Sequence, residues 1–391
     1  MNHSASRKPP RFHHHHSHIF ADILHKAADF VKQNTVLCIA IVLAAATSCI
    51  VPPDAEYIGY FDFRTLTCLF CTLAVICALK NISFFTIIAR KIVCTTGNLR
   101  MAILALVYIT FIGSMLIAND MALLTFLPLG FFVLDSTGKR NYMAFTFIMQ
   151  NIAANLGGML TPFGNPQNLY LYSEFGIPDL EFVSIMFPPF IVSVLLITIC
   201  CLFVRPEKLS LENNDTRKLP IKRTLIYLAL FAFSILIVFR TIPYLLGLII
   251  IPFAIFLLDK KALLKVDYAL LLTFVCFFIF AGNMARIGAV RELFSYLLEQ
   301  NTLLVSALSC QFISNVPSAI LLSQFTENYR ELLVGVNIGG AGTLIASLAS
   351  LITFREYTKN NPHKTLSYIG LFSAFNFGFL AVLLVFESFI L

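Results

Sequence analysis

Long apolar segments alternate with short polar loops along this chain of 391 residues. A helix needs roughly 17–25 mostly apolar residues to cross the hydrocarbon core of a bilayer. Two longer apolar stretches, 101–134 and 301–326, are each interrupted near the centre by an asparagine motif. The pattern predicts an all-α polytopic membrane protein with about 9 full spans. We place these spans at 36–52, 63–79, 141–161, 183–204, 224–240, 243–258, 267–283, 333–353 and 365–388.

Basic residues are distributed unevenly between the two sides of this arrangement. Of the 28 Lys and Arg residues, 23 fall in the N-terminal segment and in five loops that the spans place on its side. The five exceptions are Arg64, Arg240, Arg286, Arg291 and Arg330. Because cytoplasmic loops carry the excess of Lys and Arg, the N-terminus is predicted to be cytoplasmic.

The same distribution places both ends of 101–134 on the cytoplasmic side and both ends of 301–326 on the outer side. Each stretch is therefore predicted to be a re-entrant hairpin, with one tip at Asn119-Asp120 and the other at Asn315-Val316-Pro317. Non-helical backbone at membrane depth must be buried in protein or line a watery cavity. Two tips that enter from opposite faces would enclose a site between them.

A second motif also occurs twice. Residues 155–161 read Asn-Leu-Gly-Gly-Met-Leu-Thr, and residues 337–343 read Asn-Ile-Gly-Gly-Ala-Gly-Thr. Glycine costs roughly 1 kcal/mol and proline roughly 3 kcal/mol in a helix interior, so such clusters predict broken helices. We place these at 141–173 and 333–353. A hairpin and a broken helix in each half predict two inverted repeats, which is the signature of a transporter with a site at the bilayer midplane.

The chain is divided accordingly. Residues 1–35 form a cytoplasmic tail with an interfacial helix, and 36–204 form the first repeat. Residues 205–223 are a cytoplasmic linker, and 224–391 hold two connecting spans and the second repeat. The histidine run His13–His16 in the tail is expected to be solvated, and no metal site is predicted.

Asp120 is the one charged residue that the predicted spans place near the middle of the membrane. A carboxylate there costs about 2.5–3.5 kcal/mol on insertion scales, which favours a functional role. We expect it to bind the coupling cation or to take up and release a proton. The alternative is a carboxylate that caps the second arm of the hairpin.

The other candidate residues are small or neutral and lie at the tips and breaks. Half-helix N-termini attract anions, while freed carbonyls and amides suit a cation or polar ligand. The alternative is that such residues only let helices pack closely. The candidate substrate- or ion-binding residues are Asn119, Asp120, Asn155, Gly157, Thr161, Gly164, Asn165, Asn168, Asn315, Pro317, Asn337, Gly339, Thr343 and Ser347.

Composition excludes several classes of protein. The chain is 58% hydrophobic and 13% charged, whereas a soluble domain carries about 25% charged residues. The net charge of +7 reflects the loop asymmetry, so nucleic acid is not an expected partner. The spans contain no nucleotide-binding loop, metal-ligand motif or nucleophile pair, so we expect neither an enzyme nor a cofactor apart from a coupling ion, H⁺ or Na⁺.

These motifs resemble the ion-transporter superfamily that contains arsenite permeases, NhaD-type sodium/proton antiporters and citrate and dicarboxylate symporters. The resemblance covers roughly 60–204 and 265–390, and 161–168 is similar to a motif shared across the superfamily. Both tips look most like those of the arsenite permease and anion permease branch. The dicarboxylate tips typically read Ser-Asn-Thr, and the threonines are missing here. The resemblance implies an elevator-type transporter, often a homodimer, whose hairpins and broken helices move as one block.

We therefore expect a secondary active transporter that moves a small anion together with protons or sodium. Arsenite or antimonite efflux is one alternative, and sodium/proton antiport through the lone carboxylate is another. The expected partners are an inorganic or carboxylate anion or a metalloid oxyacid, membrane lipid and a second copy of the chain. The expected location is a bacterial inner or plasma membrane.

Overall fold

The computed structural model describes residues 31, 34–209 and 218–391. Every regular element in these residues is helical, and the β-bridge that occurs among them pairs Asn98 with Lys208. The predicted interfacial helix and the histidine run lie outside the described residues. The α-helices are α1 (Thr35–Ile50), α2 (Phe63–Asn81), α3 (Phe84–Cys94), α4 (Leu99–Ile117), α5 (Asn119–Ser136), α6 (Met143–Gly157), α7 (Pro166–Glu174), α8 (Asp179–Leu202), α9 (Ile221–Val238), α10 (Tyr244–Leu258), α11 (Lys260–Leu264), α12 (Tyr268–Arg286), α13 (Gly288–Ile313), α14 (Asn315–Leu322), α15 (Tyr329–Ile338), α16 (Leu348–Asn360) and α17 (Thr365–Glu387).

Helices α2, α4, α8, α9, α12 and α17 are long and apolar enough to cross a membrane, whereas α1 and α10 are apolar but shorter. The six long helices, the last extended by a 3-10 turn, are Phe63–Asn81, Leu99–Ile117, Asp179–Leu202, Ile221–Val238, Tyr268–Arg286 and Pro362–Glu387. The part of the chain that the structure describes is thus all-helical and polytopic, as predicted.

Two of the predicted spans are discontinuous. Helix α6 ends at Gly157 and α7 begins at Pro166, while α15 ends at Ile338 and α16 begins at Leu348. The second of these elements is longer than the predicted 333–353, because α16 continues to Asn360 as a partly exposed polar helix. Hydropathy locates where a helix leaves the apolar region, and not where the helix itself ends.

Each hairpin turns through a single residue. Ala118 separates α4 from α5 with φ 63° and ψ 151°, and Ser314 separates α13 from α14 with φ 74° and ψ 159°. This backbone region is nearly confined to glycine and costs about 1–3 kcal/mol for other residues. The arms of the first hairpin touch, since a Cβ on Gly113 would lie 2.4 Å from the Phe126 ring. Both tips therefore hold strained backbone that the surrounding packing must enforce.

The two halves of the chain exchange contacts through their broken helices. Helix α16 of the second half packs on α5 and α6 of the first, and α7 of the first half packs on α14 and α15 of the second. Lipid is as apolar as leucine, so helices in a bilayer associate through close packing and interhelical hydrogen bonds. The buried polar groups at the breaks are therefore central to holding the halves together.

Ion pairs join loops that the charge pattern assigned to the same side. Arg286 donates to both carboxylate oxygens of Asp54, at 3.1 and 2.6 Å, and this contact lowers the pKa of Asp54. Away from these loops, Lys139 at the end of the first hairpin pairs with Glu207, and its hydrogen bond lowers the pKa of that carboxyl. Such exposed pairs add little stability and mainly fix loop geometry.

Candidate functional site

The two hairpin tips have the same local geometry. The side-chain oxygen of Asn119 accepts from the N–H of Asp120, and that of Asn315 accepts from the N–H of Val316, both at 2.9 Å. Each asparagine thus binds one free backbone N–H at the start of the helix that it begins. Asp120 Oδ1 accepts no such bond and is buried without a hydrogen-bond partner in the described structure.

Asn155 connects the first tip to both breaks. Its Oδ1 accepts from Asn119 Nδ2 at 3.1 Å and from Ser347 Oγ at 2.8 Å. Its backbone carbonyl accepts from Asn165 Nδ2 at 3.3 Å. One buried asparagine at the end of α6 therefore binds the first hairpin, its own break and the break of the other half.

Asn337 occupies the matching position in the second half. Its Oδ1 accepts from Asn165 Nδ2 and Gln167 Nε2, both at 3.3 Å, and its Nδ2 donates to Asn168 Oδ1 at 2.6 Å. Asn165 follows the first motif asparagine at the same spacing at which Ser347 follows the second. Each of these two residues donates to the motif asparagine of the opposite half, so the contacts are reciprocal.

Two threonines tie the breaks to the hairpins. Thr161 Oγ1 donates to the Met115 carbonyl at 2.8 Å, and Thr343 Oγ1 donates to the Gln311 carbonyl at 3.0 Å. Both acceptors lie four residues before the tip asparagine of their hairpin. Hairpin and break are thus joined in each half by the same kind of contact at the same position.

The glycines of the motifs lie where a side chain would collide with backbone. A Cβ on Gly157 would lie 2.3 Å from the Phe111 carbonyl oxygen, and one on Gly164 would lie 2.3 Å from the Gly158 carbonyl oxygen. A Cβ on Gly339 would lie 2.9 Å from backbone of the second hairpin. The close approach of helices that these glycines permit brings the polar groups within hydrogen-bond distance.

A small cavity of about 40 Å³, which we call the tip cavity, lies where the tips and breaks meet. Its lining includes the first residues of four helices, namely Asn119 (α5), Pro166 (α7), Asn315 (α14) and Leu348 (α16). Each helix N-terminus carries roughly half a positive charge. Four N-termini converge on a cavity whose one charged lining residue, in the described part of the chain, is Asp120. The arrangement can stabilise an anion and a cation or proton side by side.

A larger cavity of about 350 Å³, which we call the vestibule, lies farther along the same helices. Tyr170 and Ile320 line it, about one helical turn beyond Gln167 and Pro317 of the tip cavity. The Tyr170 ring lies 5.6 Å from that of Phe278, and its hydroxyl lies 2.8 Å from Ser323 Oγ. The vestibule therefore lies about one helical turn from the tip cavity, and the rings of Tyr170 and Phe278 form part of its wall.

Comparison with known proteins identifies the family. The family model described as citrate transporter, CitMHS, matches residues 25–329. An uncharacterized transporter of Methanocaldococcus jannaschii is 35% identical over 302 residues, which cover 77% of this chain and 82% of the relative. The inner membrane protein YbiR of Escherichia coli strain K12 is 31% identical over 288 residues, or 70% and 74% of the two chains. The chain belongs to the citrate transporter family.

Membership of the citrate transporter family confirms the resemblance to the ion-transporter superfamily and makes the protein a multi-pass membrane transporter. The matched residues include both hairpin tips and the first broken helix. The closer likeness to the arsenite permease and anion permease branch stays a prediction.

The structure brings all fourteen candidate residues of this citrate transporter family member together, in four different roles. Those that line the tip cavity are Asn119, Asp120, Asn315, Pro317 and Ser347. Those that form the amide network behind it are Asn155, Asn165, Asn168 and Asn337. Those that permit close approach of the helices are Gly157, Gly164 and Gly339. Those that tie the breaks to the hairpins are Thr161 and Thr343.

Two glutamines of the site were missed by sequence reasoning. Gln167 lines the tip cavity and donates to Asn337. Gln311 Nε2 donates to the Gly339 carbonyl at 2.8 Å, and its Oε1 accepts from the Thr343 N–H at 2.9 Å. Gln311 thus satisfies backbone groups that the second break leaves free. A glutamine four residues before a tip asparagine, in an arm whose other residues after Asn301 are apolar or small, was the available signal.

Proposed function

We propose that the protein is a secondary active transporter that moves a small anion, coupled to protons or sodium, by an elevator-type alternating-access mechanism. The convergence of four helix N-termini on the tip cavity carries this proposal. Helix N-termini are anion sites because their free N–H groups and dipoles face the ligand. They can therefore attract an anion into the tip cavity, although no arginine or lysine lines it in the described part of the chain.

Asp120 would supply the coupling. Its unpartnered Oδ1 beside the four N-termini is suited to a proton or a sodium ion, either of which would neutralise a carboxylate that otherwise repels an anion. A site that binds the anion well only after Asp120 is neutralised couples the two movements, since each ligand then raises the affinity for the other.

The size of the tip cavity supports an alternating mechanism. A water needs roughly 10–15 Å³ of such volume, so about 40 Å³ holds on the order of three waters and is too small for a citrate. The hairpins must therefore separate from the breaks before a solute of that class can enter.

In this proposal the two halves act as inverted repeats, the molecule is a homodimer in a bacterial inner or plasma membrane, and the N-terminus is cytoplasmic.

Flux into proteoliposomes tests the proposed function. Vesicles that contain the protein and either a pH-sensitive dye or trapped ²²Na⁺ would receive gradients of citrate, succinate, sulfate, arsenite or sodium, one at a time. The family name makes citrate the first solute to test. We expect one anion gradient to drive proton or sodium movement, with protein-free vesicles as the control. The absence of any anion-driven ion movement by either readout would contradict the proposal.

Sodium/proton antiport is the second candidate, and one observation favours it. Asp120 is the one charged group lining the described tip cavity, and the cavity has room for a small ion. In the same vesicles, an antiporter would show proton movement driven by sodium alone and unaffected by every anion. Arsenite or antimonite efflux, the other alternative, would appear as proton movement driven by arsenite.

A cysteine at Asn315 tests the alternating movement of the tip. Asn315 is buried, and its backbone N–H bonds the Ala346 carbonyl at 3.0 Å. In an otherwise cysteine-free background, we expect labelling of Asn315→Cys by a membrane-impermeant thiol reagent to change several-fold when substrate and coupling ion are added. The measurement is the labelling rate from each side of oriented vesicles. A matched cysteine at the exposed Ile58, in the loop between α1 and α2, should label at a constant rate. A rate at position 315 that is independent of substrate would contradict movement of this tip.

A further inference from the structure

A third cavity lies at the loop between α9 and α10, away from the tip cavity. It has a volume of about 350 Å³. Two arginines and a short turn define it, and the lining residues are Arg64, Ile237, Arg240, Thr241, Ile242, Pro243 and Tyr244. No acidic side chain lines it in the described part of the chain. We call it the arginine pocket.

Arg64 and Arg240 differ from two of the other three arginines that the charge pattern placed on the same side. Arg286 and Arg330 form ion pairs with Asp54 and Glu181, at 2.6 and 2.7 Å. Arg64 and Arg240 form no ion pair with any carboxylate of the described chain. Each instead lies over an aromatic ring, Arg64 at 5.8 Å from the Tyr244 centroid and Arg240 at 4.3 Å from that of Tyr172.

Three acidic residues lie outside the lining of the arginine pocket but next to residues that its arginines contact. Asp179 accepts from the hydroxyl of Tyr172, the ring over which Arg240 lies. Asp62 caps α2 by accepting from the Thr65 N–H at 3.0 Å. Asp62 and Glu174 line the vestibule, which shares Arg64 with the arginine pocket. Arg64 therefore stands between an acidic cavity and one whose lining has no compensating negative charge.

Arg240 is held in a backbone conformation that favours glycine. Its φ is 61°, and it follows the end of α9, where the Thr241 N–H bonds the Leu236 carbonyl at 3.1 Å. At this position of a helix end glycine is the usual residue, because it has no Cβ penalty. The guanidinium donates to the Tyr172 carbonyl, yet its Nε is buried without a partner. Arg240 thus has a backbone conformation that favours glycine, and its buried Nε–H has no acceptor. Both features indicate a role for the side chain.

We propose that Arg64 and Arg240 form an oxyanion-binding site that takes a phosphate group. Guanidinium groups bind phosphate through paired, charge-assisted hydrogen bonds. Thr241 and the N-terminal turn of α10 lie in the same lining and add further donors. The proposal is independent of the proposed transport site, because the arginine pocket shares no residue with the tip cavity.

The position of the pocket makes a lipid headgroup the first source of that phosphate. It lies where α9 ends and α10 begins, and both helices expose apolar side chains beside it, such as Leu236 and Leu245 at 43% and 56% exposure. A pair of guanidinium groups at the ends of membrane helices can bind the phosphate of a lipid headgroup as it binds free phosphate. Free phosphate has the same chemistry and would reach the pocket from the aqueous side.

Binding of two phosphate probes to the purified full-length chain in detergent tests the site. Native mass spectrometry would measure retention of phosphatidylglycerol against phosphatidylcholine, and calorimetry would measure binding of inorganic phosphate. We expect Arg64→Gln to weaken binding of at least one probe by about tenfold, the usual effect of losing one charge-assisted contact. Preference for phosphatidylglycerol identifies a lipid source, and calorimetric binding of phosphate alone identifies a soluble one.

Two further variants keep the test decisive. Arg240→Gly removes the guanidinium while suiting the backbone, so it should weaken the same probe in a protein that still folds. Arg291→Gln removes an equal charge from an exposed residue that does not line the pocket, and should leave binding unchanged. The proposal is overturned if neither probe binds, or if Arg64→Gln binds both probes as the wild type does.

Discussion

Replacing Asp120 with asparagine is expected to abolish coupled transport while leaving the protein folded. An interaction with a charged group is worth about 1.5–3 kcal/mol, and each 1.4 kcal/mol is tenfold, so ion-coupled flux should fall by roughly 100-fold. The protein should still fold, because Asn119 rather than Asp120 binds a free N–H at the start of α5 and Asp120 Oδ1 bonds to nothing in the described structure. Removing a carboxylate from membrane depth should even raise the melting temperature. Proteoliposome flux and thermal unfolding in detergent would measure the two effects.

Asp135→Asn is the matched control for this variant. Asp135 lies in the same hairpin, in the last turn of α5, and pairs with the exposed Arg140. A surface ion pair contributes about 0–1 kcal/mol, so near wild-type transport is expected. Full ion-coupled transport by Asp120→Asn would remove Asp120 from the mechanism, and equal losses in both variants would show that the effect belongs to the hairpin as a whole.

Replacing Gly157 with alanine is expected to destabilise the protein and to stop transport. The new Cβ would lie 2.3 Å from the Phe111 carbonyl oxygen and 2.7 Å from Ser114 Oγ. The nearest atom is backbone, so α4 must move away from α6. Overpacking of this kind costs typically 1–3 kcal/mol. The shift would also strain the contact between Asn119 and Asn155, because Asn119 begins α5, which follows α4 after the single residue Ala118. The melting temperature and the flux would both report the change.

Gly378→Ala controls for the intrinsic effect of the substitution. Gly378 lies within α17, and a Cβ added there would meet no atom within 4 Å. Alanine is favoured over glycine in a helix by about 1 kcal/mol, so this variant should be as stable as the wild type or more so. If Gly157→Ala melts at the same temperature as Gly378→Ala, the close approach of α4 and α6 is not required.

The glutamine at 311 shows why part of the site escaped the sequence. Asparagine and glycine at the tips and breaks were recognisable, because they interrupt apolar segments and carry a local conformational cost. Gln311 lies in the helical part of α13 that follows a kink at Asn301, and it carries no such cost. Its role comes from the free carbonyls of residues 339 and 341, which reach it only after α13 has packed against the second break.

The sequence by itself determined the all-helical membrane class, the family, and the positions of both tips and both breaks. Hydropathy, charge and the helix-breaking cost of glycine and proline are properties of short segments, so they can be read before folding. Only the tertiary structure decided which polar groups meet. Ser347 and Asn155 bond at 2.8 Å across a separation of 192 residues. Likewise, four helix N-termini surround one cavity because two halves of the chain pack against each other. Such pairings depend on the packing of whole helices, and no local pattern specifies them.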